Sequence, residues 1–241
     1  MLSVKKNKKL NYLPFTTRKF LQFYSWKNCL PTNSISLNKK IKDCKVAIVS
    51  SAGLIVKNEQ QPFDSSIKMG DPSFRIIPSN VDCDNLEEHH RSDTFNHTGI
   101  QTNPFSVMPI PHLLDLCKEG FIGSVNNRHV SLMGSIVDPK QLVKKTIPEI
   151  VTLFKEDNVD IVIFIPVWPM CHQTVGLVQK YLEENNIICS TISIVDEITR
   201  KLKTKTYLSV PYDLGYPLGD YQDYSQQKNN IKRLLNKVNT H

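Results

Sequence analysis

The sequence predicts an α/β fold, in which a doubly wound and mainly parallel sheet carries helices on both faces. The main observation is a pair of apolar, β-branched runs, residues 160–167 and 187–193, separated by an amphipathic segment. A strand, a helical connection and a second strand form a unit whose strands lie parallel, with a right-handed crossover. A third apolar run, residues 45–50, ends at small residues, which is typical of a buried strand opening into a loop. The 241 residues, 40% of them hydrophobic, suffice for such a core and exclude disorder of the whole chain.

The first 41 residues differ from the rest in charge. They hold nine of the 30 Lys and Arg residues and no acid, so residues 42–241 hold 21 basic against 23 acidic residues. The net charge of +7 therefore belongs to a basic N-terminal extension, residues 1–41, ahead of a single domain, residues 42–241. Such an extension can be a transit peptide, a nucleic-acid arm or a segment that lies over the domain. The last is favoured, because the extension is rich in lysine and carries several aromatic residues.

The remaining composition indicates a soluble, cytoplasmic chain. The extension lacks the apolar core of a secretory signal, and the longest apolar run, residues 161–171, is too short to cross a membrane. The six cysteines form no C-x-x-C pair and have no zinc-finger spacing, so we expect reduced thiols and no metal site. The balanced charge of the body removes most support for a nucleic-acid partner.

The other elements are predicted from periodicity and from turn residues. Residues 55–108 form a polar, loop-rich region with one short apolar run at 74–78, and residues 128–134 are predicted to be a loop. Amphipathic helices are expected at residues 109–119, at 139–156, from 171 to about 184, and after 226. Pro148 is expected to kink or split the second of these helices. The fold is thus Rossmann-like, but neither Gly-x-Gly-x-x-Gly nor Gly-x-x-x-x-Gly-Lys is present, so nucleotide binding is not expected.

Open α/β sheets bind ligands outside the carboxyl ends of their strands. That rule selects Ser50–Gly53, the turn at 125–129, residues 167–172 and Ser193. Cys171 stands out, because it follows the central strand where a helix begins, and the positive end of a helix dipole stabilises a thiolate. His172 beside it can add charge or exchange a proton. The alternative is a buried, apolar cysteine, and Trp168 taken alone is a packing residue.

Histidines and one arginine supply further candidates. His89 and His129 are possible general acids near neutral pH, whereas His97, His112 and His241 are interpreted as surface histidines. His90 is interpreted in the same way, by a small margin. Arg75, in the short run 74–78, could hold a carboxylate with both arms of its guanidinium group, and the alternative is a salt-bridged surface arginine.

Four segments together carry a resemblance to a known family. They are Lys45–Leu54, Gly70–Pro78, Arg128–Gly134 and Pro166–Leu177. In order and spacing these segments resemble the glycine/sarcosine/betaine/D-proline reductase selenoprotein B family, and the short length is most similar to the small selenocysteine subunit of D-proline reductase. The likeness runs from about residue 26 into residues 216–219, which is most of the chain.

The resemblance implies a reductase subunit in which a selenocysteine, in a Sec-x-x-Cys or Cys-x-x-Cys motif, attacks the carbon next to a carboxylate. It implies a partner subunit whose pyruvoyl group holds the substrate amine, and no cofactor in this chain. Carried over by position, Cys171 is the resolving thiol and Trp168 stands at the selenocysteine position. As written, the chain therefore lacks the nucleophile. Either Trp168 is a selenocysteine written as tryptophan, since both can be encoded by UGA, or it is a true tryptophan in a redox-inactive paralogue.

On this interpretation His172, His129 and His89 are candidate proton donors to the departing amine, and Arg75 and Ser51 are candidate substrate-binding residues. Three functions stay open: a reductase subunit working with a pyruvoyl partner, a thiol oxidoreductase that uses Cys171, and a non-catalytic assembly subunit. The substrate is a small amino-acid-like molecule, and glycine, betaine, sarcosine and D-proline all present a carboxylate next to an amine.

Overall fold

A computed structural model describes residues 10–32 and 35–239. Nine strands are described there: β1 Lys45–Ser50, β2 Leu54–Val56, β3 Phe74–Pro78, β4 Leu86–Glu88, β5 Ser124–Val125, β6 Arg128–Leu132, β7 Ile161–Ile165, β8 Ile188–Ser193 and β9 Tyr207–Ser209. The helices are α1 Phe15–Phe23, α2 Thr98–Thr102, α3 Ile110–Lys118, α4 Ile147–Glu156, α5 Pro169–Glu183, α6 Asp196–Leu202 and α7 Tyr224–Asn236.

Seven of the strands form one sheet in the order β3-β6-β1-β7-β8-β9, with β5 also paired to β1. All pairs are parallel except β3 with β6, which run antiparallel, so β3 is an antiparallel edge on a parallel sheet. β2 and β4 form a separate antiparallel pair. The α/β class is confirmed, and so is the parallel pairing of the two runs on either side of α5.

The centre of the sheet is buried because helices cover it. Every residue of β7 and β8 is buried, as is every residue of β1 after Lys45. Strands that are apolar along their whole length, rather than at alternate positions, are what a parallel sheet covered on both sides requires. This packing fixes the carboxyl ends of β1 and β7 next to each other, since Ser50 pairs with Ile165.

Three local predictions need correction or refinement. Residues 128–132 are a strand, not a loop, because they pair with both β1 and β3. The helix expected at 139–156 is split: Leu142–Thr146 form a π-helical turn and α4 begins at Ile147. Pro148 then occupies the first turn of α4, where its missing N–H costs nothing. The sequence predictions did not include α6 and β9.

The described part of the extension packs onto the domain. Leu21 of α1 and Cys29 are buried, and the backbone N–H of Cys29 donates to the carbonyl of Leu202 at 2.7 Å. The Tyr24 hydroxyl donates to the carbonyl of Val137 at 2.6 Å and accepts from the side chain of Gln173 at 2.8 Å. Residues 1–9 of the predicted extension, and His241, lie outside the described residues. Within residues 10–32 and 35–239, none of the helices combines the length and apolar character needed to cross a membrane.

Candidate active site

Cys171 lies in the first turn of α5, directly beyond the carboxyl end of β7. Trp168 has an extended backbone, with φ −142° and ψ 155°, and precedes the helix. Pro169 begins the helix, where its fixed φ is favourable and its missing N–H would have no partner. The Cys171 N–H donates back to the Trp168 carbonyl at 3.0 Å. The sequence prediction of a cysteine at a helix start after the central strand is therefore confirmed.

The sulfur of Cys171 is enclosed by residues from three other segments. It lies 3.4 Å from Nε2 of His90 and 3.9 Å from the carbonyl of Ser51. Gly134 passes on the other side with φ +79°, and a Cβ built there would lie 2.6 Å from Sγ and 2.6 Å from the Ser51 carbonyl. Glycine is required because an L-residue would be strained at that φ and would also occupy the space of the sulfur. The Cys171 side chain is completely buried.

The hydrogen bonds of His90 determine which ring nitrogen carries the proton. Its Nδ1 accepts the backbone N–H of Ser92 at 3.0 Å, so Nδ1 must hold a lone pair. In a neutral imidazole the proton is then on Nε2, and this N–H points at the Cys171 sulfur. His90 is thus placed to donate a hydrogen bond to the sulfur rather than to remove its proton. Burial lowers the pKa of His90 to about 3, which keeps the ring neutral.

The charge state of Cys171 agrees with one of the two interpretations of its position, the buried and neutral cysteine, and not with the thiolate. Burial raises its pKa to about 12, although the Ser51 side chain and the backbone at Val167 and Trp168 act in the other direction. The sequence argument identified those helix-start donors correctly. Desolvation penalises a thiolate without contact with water more than these few donors can offset, which is the outcome expected for a buried cysteine. The resting pair is therefore a neutral thiol beside a neutral imidazole.

Trp168 is packed into a stack of rings rather than exposed. Its side chain is almost fully buried, and its indole lies over Phe95 with 5.6 Å between ring centroids. Phe95 stacks in turn on His97 at 3.9 Å and meets the edge of His90 at 5.0 Å. Nδ1 of His97 lies 2.7 Å from the carboxylate of Glu88. Burial raises the pKa of Glu88, and His97 partly opposes this.

The three predicted proton donors have different surroundings. His172 is buried; its Nδ1 lies 3.0 Å from the Trp168 carbonyl and its Nε2 accepts the N–H of Ile194. His129 is buried in β6, where Nδ1 accepts the N–H of Ile48 and Nε2 lies 2.9 Å from the Ser79 hydroxyl. Both rings therefore bridge elements of the fold.

His89 pairs with Glu87 at 2.9 Å, and the contact of the segment with Cys171 comes from its neighbour His90. Since adjacent side chains in an extended segment point in opposite directions, one of the two faces the sulfur and the sequence does not say which. The sequence feature that marks this approach of the two segments is Gly53, because a Cβ at that position would lie 2.9 Å from the backbone N of His90. His112, interpreted as a surface histidine, is in fact buried and stacked on Tyr224 at 4.0 Å.

The predicted substrate-binding residues are both engaged within the protein. Ser51 lies at the site, but its hydroxyl accepts the N–H of Val167 at 3.2 Å and links the ends of β1 and β7. The guanidinium group of Arg75 donates to the carbonyls of Gln61 and Pro62 and to the Ser73 hydroxyl. It also lies over the ring of Phe63 at 4.3 Å. Among residues 10–32 and 35–239, no group of three or more His, Cys, Asp and Glu side chains could hold a metal ion.

Comparisons with known proteins bear on this site. The family model described as glycine/sarcosine/betaine reductase selenoprotein B matches residues 7–166, and so ends just before Trp168. The D-proline reductase subunit gamma of Acetoanaerobium sticklandii is 28% identical over 192 residues, covering 80% of this chain and 77% of that protein. The glycine reductase complex component B subunit gamma of Peptoclostridium acidaminophilum is 24% identical over 222 residues, covering 86% of this chain. The match spans 49% of that relative, or about half its length. No solved structure matches the chain.

Proposed function

The chain belongs to the glycine/sarcosine/betaine reductase selenoprotein B family, and on this premise we propose that it is the thiol-bearing subunit of a complex that reductively cleaves the C–N bond of a small amino-acid-like substrate. The observation that carries the proposal is the contact between Nε2 of His90 and the sulfur of Cys171, 3.4 Å apart at the carboxyl edge of the sheet. A hydrogen bond from a neutral imidazole, together with the helix-start donors, stabilises a thiolate whenever one forms.

The reaction that the family resemblance implies balances as two steps. A selenolate or thiolate attacks the α-carbon, the C–N bond breaks, and the amine leaves with the bonding pair and takes a proton. A second thiol then attacks the bound selenium or sulfur, and the carbon takes back the bonding pair and a proton as a Se–S or S–S bond forms. The substrate gains two electrons and the two chalcogen atoms lose them.

Position 168 determines which atom attacks. With selenocysteine there, selenium attacks and Cys171 resolves; with tryptophan there, Cys171 attacks and a thiol from outside the chain resolves. We assign selenocysteine, written as Trp168, because it supplies the nucleophile that the family reaction needs. Peptide mass spectrometry of native protein is expected to find selenium at position 168, and the mass of an indole there would transfer the attack to Cys171.

The substrate amine is held, on this proposal, by a pyruvoyl group of a partner subunit. The extension offers a surface for such a partner beside the site, since Phe15, Phe20 and Phe23 of α1 are exposed. Exposed aromatic side chains are enriched at protein interfaces. Trp168 and Phe20 line the same cleft, so a partner bound to α1 would lie close to position 168.

The proposal is tested by the reactivity of Cys171 relative to a matched cysteine in the same chain. Cys29 is also buried, and burial raises its pKa to about 12 as well, but no histidine is found at its sulfur among the described residues. In the full chain at pH 7.5, with the pyruvoyl-bearing subunit present, iodoacetamide is expected to label Cys171 at least about tenfold faster than Cys29. His90→Gln should remove that difference.

A non-catalytic assembly subunit is the second candidate, and one observation favours it. The sulfur of Cys171 is completely buried and the pKa of its thiol is raised to about 12, as for a structural cysteine. Equal, slow labelling of Cys171 and Cys29 in the assembled complex would select this function, as would the absence of selenium at position 168 combined with an inert Cys171.

A further inference from the structure

A cleft of about 240 Å³ lies over Trp168, between the extension and the domain. It is lined by Phe20 of α1, by a wall that holds Arg91 and Ser92, and by Trp168 and Met170. Its volume is smaller than that of most ligand sites, which suits a molecule the size of a single amino acid rather than a nucleotide. Cys171 itself is not among the residues that line the cleft.

Some of the N–H donors of Arg91, which lines this cleft, have no hydrogen-bond partner within the described part of the chain. Its NH1 group donates to the carbonyls of Ile67 and Lys68, at 3.1 and 2.6 Å, and these bonds hold the guanidinium group in place. Across the described ranges, no carboxylate lies within ion-pair distance of it. A planar guanidinium group that is held on one side and lacks an anionic partner on the other is suited to binding a carboxylate through two parallel hydrogen bonds.

The contrast with Arg75 shows what is special about Arg91. In Arg75, Nε and both terminal nitrogens donate to carbonyls or to a hydroxyl of the chain. In Arg91 one terminal nitrogen holds the carbonyls of residues 67 and 68, and Nε and the second terminal nitrogen have no bond within the described part of the chain. Of these two arginines, only Arg91 faces the cleft above position 168.

The wall that carries Arg91 is also connected to the reactive sulfur. Ser92, the next residue, donates its backbone N–H to Nδ1 of His90, and Nε2 of the same ring contacts Cys171. The Ser92 hydroxyl lies 2.8 Å from that of Thr94, which gives the wall two further polar groups. A ligand bound to Arg91 would thus lie one hydrogen-bonded ring away from the thiol.

We infer that this cleft binds the carboxylate of a small amino-acid-like ligand through Arg91 and places the adjacent carbon over position 168. The inference deepens the proposed function and rests on it for the identity of the ligand class. It gives α1 a role as well, because the cleft has a second wall only when the extension is docked. No covalent step is assigned to Arg91, which acts by binding and orienting.

The test measures binding to the full chain by calorimetry, with glycine and D-proline as probes and glycinamide and D-prolinamide as matched ligands that lack the carboxylate. We expect a carboxylate probe to bind, its amide to bind at least about tenfold more weakly, and Arg91→Gln to weaken the carboxylate by a similar factor. Arg91→Lys keeps the positive charge but loses the two parallel N–H donors, so its affinity for the carboxylate probe should lie between those of the parent and of Arg91→Gln. Arg200→Gln, which breaks an exposed ion pair at 2.9 Å far along the chain, is the control and should bind normally.

Thermal melts of each variant establish that it is folded, which is expected because Arg91 is exposed. The inference is overturned if no carboxylate probe binds, if the amides bind equally well, or if folded Arg91→Gln binds as the parent does. These outcomes are separable from failure of the proposed function. Carboxylate binding that depends on Arg91 alongside an inert Cys171 would leave the cleft assigned and the reductase chemistry excluded. A reactive Cys171 with no effect of Arg91→Gln would support the reductase chemistry and exclude the assignment of the cleft.

Discussion

His90 and His129 are histidines with the same perturbed pKa and different partners. Burial lowers the pKa of each to about 3. Nδ1 accepts a backbone N–H in both, from Ser92 in one and from Ile48 in the other. The difference is at Nε2, which contacts the Cys171 sulfur in His90 and the Ser79 hydroxyl in His129. The two rings therefore cannot be told apart by their shifted pKa, and what distinguishes them is the atom opposite the second nitrogen.

The residues around the two histidine rings also differ. Near His129, Arg128 pairs with Asp157 at 2.6 Å, and Asn126 donates to the same carboxylate at 2.9 Å, so these three polar side chains stabilise the fold together. Near His90, glycine lets the backbone approach the sulfur closely, and the aromatic ring of Phe95 covers the side chain. One region holds strands together, and the other encloses the sulfur of Cys171.

The largest expected effect concerns the atom that distinguishes the two regions. Cys171→Ser removes the sulfur that either attacks the substrate or resolves the adduct, so turnover of the assembled complex should fall at least about a thousandfold. Cys117→Ser, at a half-buried cysteine whose sulfur donates to the carbonyl of Gly123, is the control. Turnover that survives Cys171→Ser would show that the region around His90 and Cys171 is not the catalytic one.

The next effect tests the close packing around that sulfur. Gly134→Ala should destabilise the protein by about 3 to 4 kcal/mol, because it combines an unfavourable φ of +79° with a Cβ 2.6 Å from both Sγ and the Ser51 carbonyl. Gly120→Ala isolates the first contribution, since Gly120 has φ +70° and open space around it, and should cost about 1 kcal/mol. Urea denaturation measures both, and equal losses would show that Gly134 is not packed against the thiol.

Much of the fold follows from the sequence, and the site follows only in part. Continuous β-branched runs such as residues 161–165 identify buried strands, because a short run that is apolar at every position fits a strand covered on both faces. Residues 128–132 were missed because an arginine and a histidine begin the strand, and only the pairing with β1 and β3 satisfies its backbone.

The position of Cys171 can be predicted because a strand end and a helix start are local features. Its protonation cannot, because the pKa depends on burial by residues from distant segments, of which Ser51 and Gly134 are two. For the same reason the choice of His90 over His89 depends on where the chain passes Gly53, which is a tertiary contact.

A pair of matched substitutions separates the two histidines directly. His129→Gln should lower the free energy of unfolding by about 2 to 3 kcal/mol, because it disturbs buried bonds to Ile48 and Ser79, while labelling of Cys171 stays unchanged. His90→Gln should cost only about 1 kcal/mol, since His90 is partly exposed, but should slow labelling of Cys171 at least about tenfold. The opposite pattern, with reactivity following His129, would reverse the assignment.

The smallest effect appears in the pH dependence of stability. In the unfolded chain His129 has its ordinary pKa of 6.5, and in the folded protein burial lowers this to about 3. Because the folded pKa is depressed, the unfolded chain takes up a proton first as the pH falls. The contribution of His129 to stability is therefore complete above pH 6.5 and is lost progressively toward pH 3. From pH 7 to pH 5 the loss should be about 2 kcal/mol.

Urea denaturation of the parent and of His129→Gln at a series of pH values measures this contribution. The variant is less stable at pH 7, but its stability should fall less steeply between pH 6.5 and pH 4, so that the two curves converge. His90→Gln should flatten the curve by a similar amount, because burial lowers the pKa of His90 to about 3 as well. Parallel stability curves for the parent and His129→Gln would mean that another buried histidine causes the loss of stability below pH 6.5. His112, whose pKa is lowered to about 4, is one such histidine.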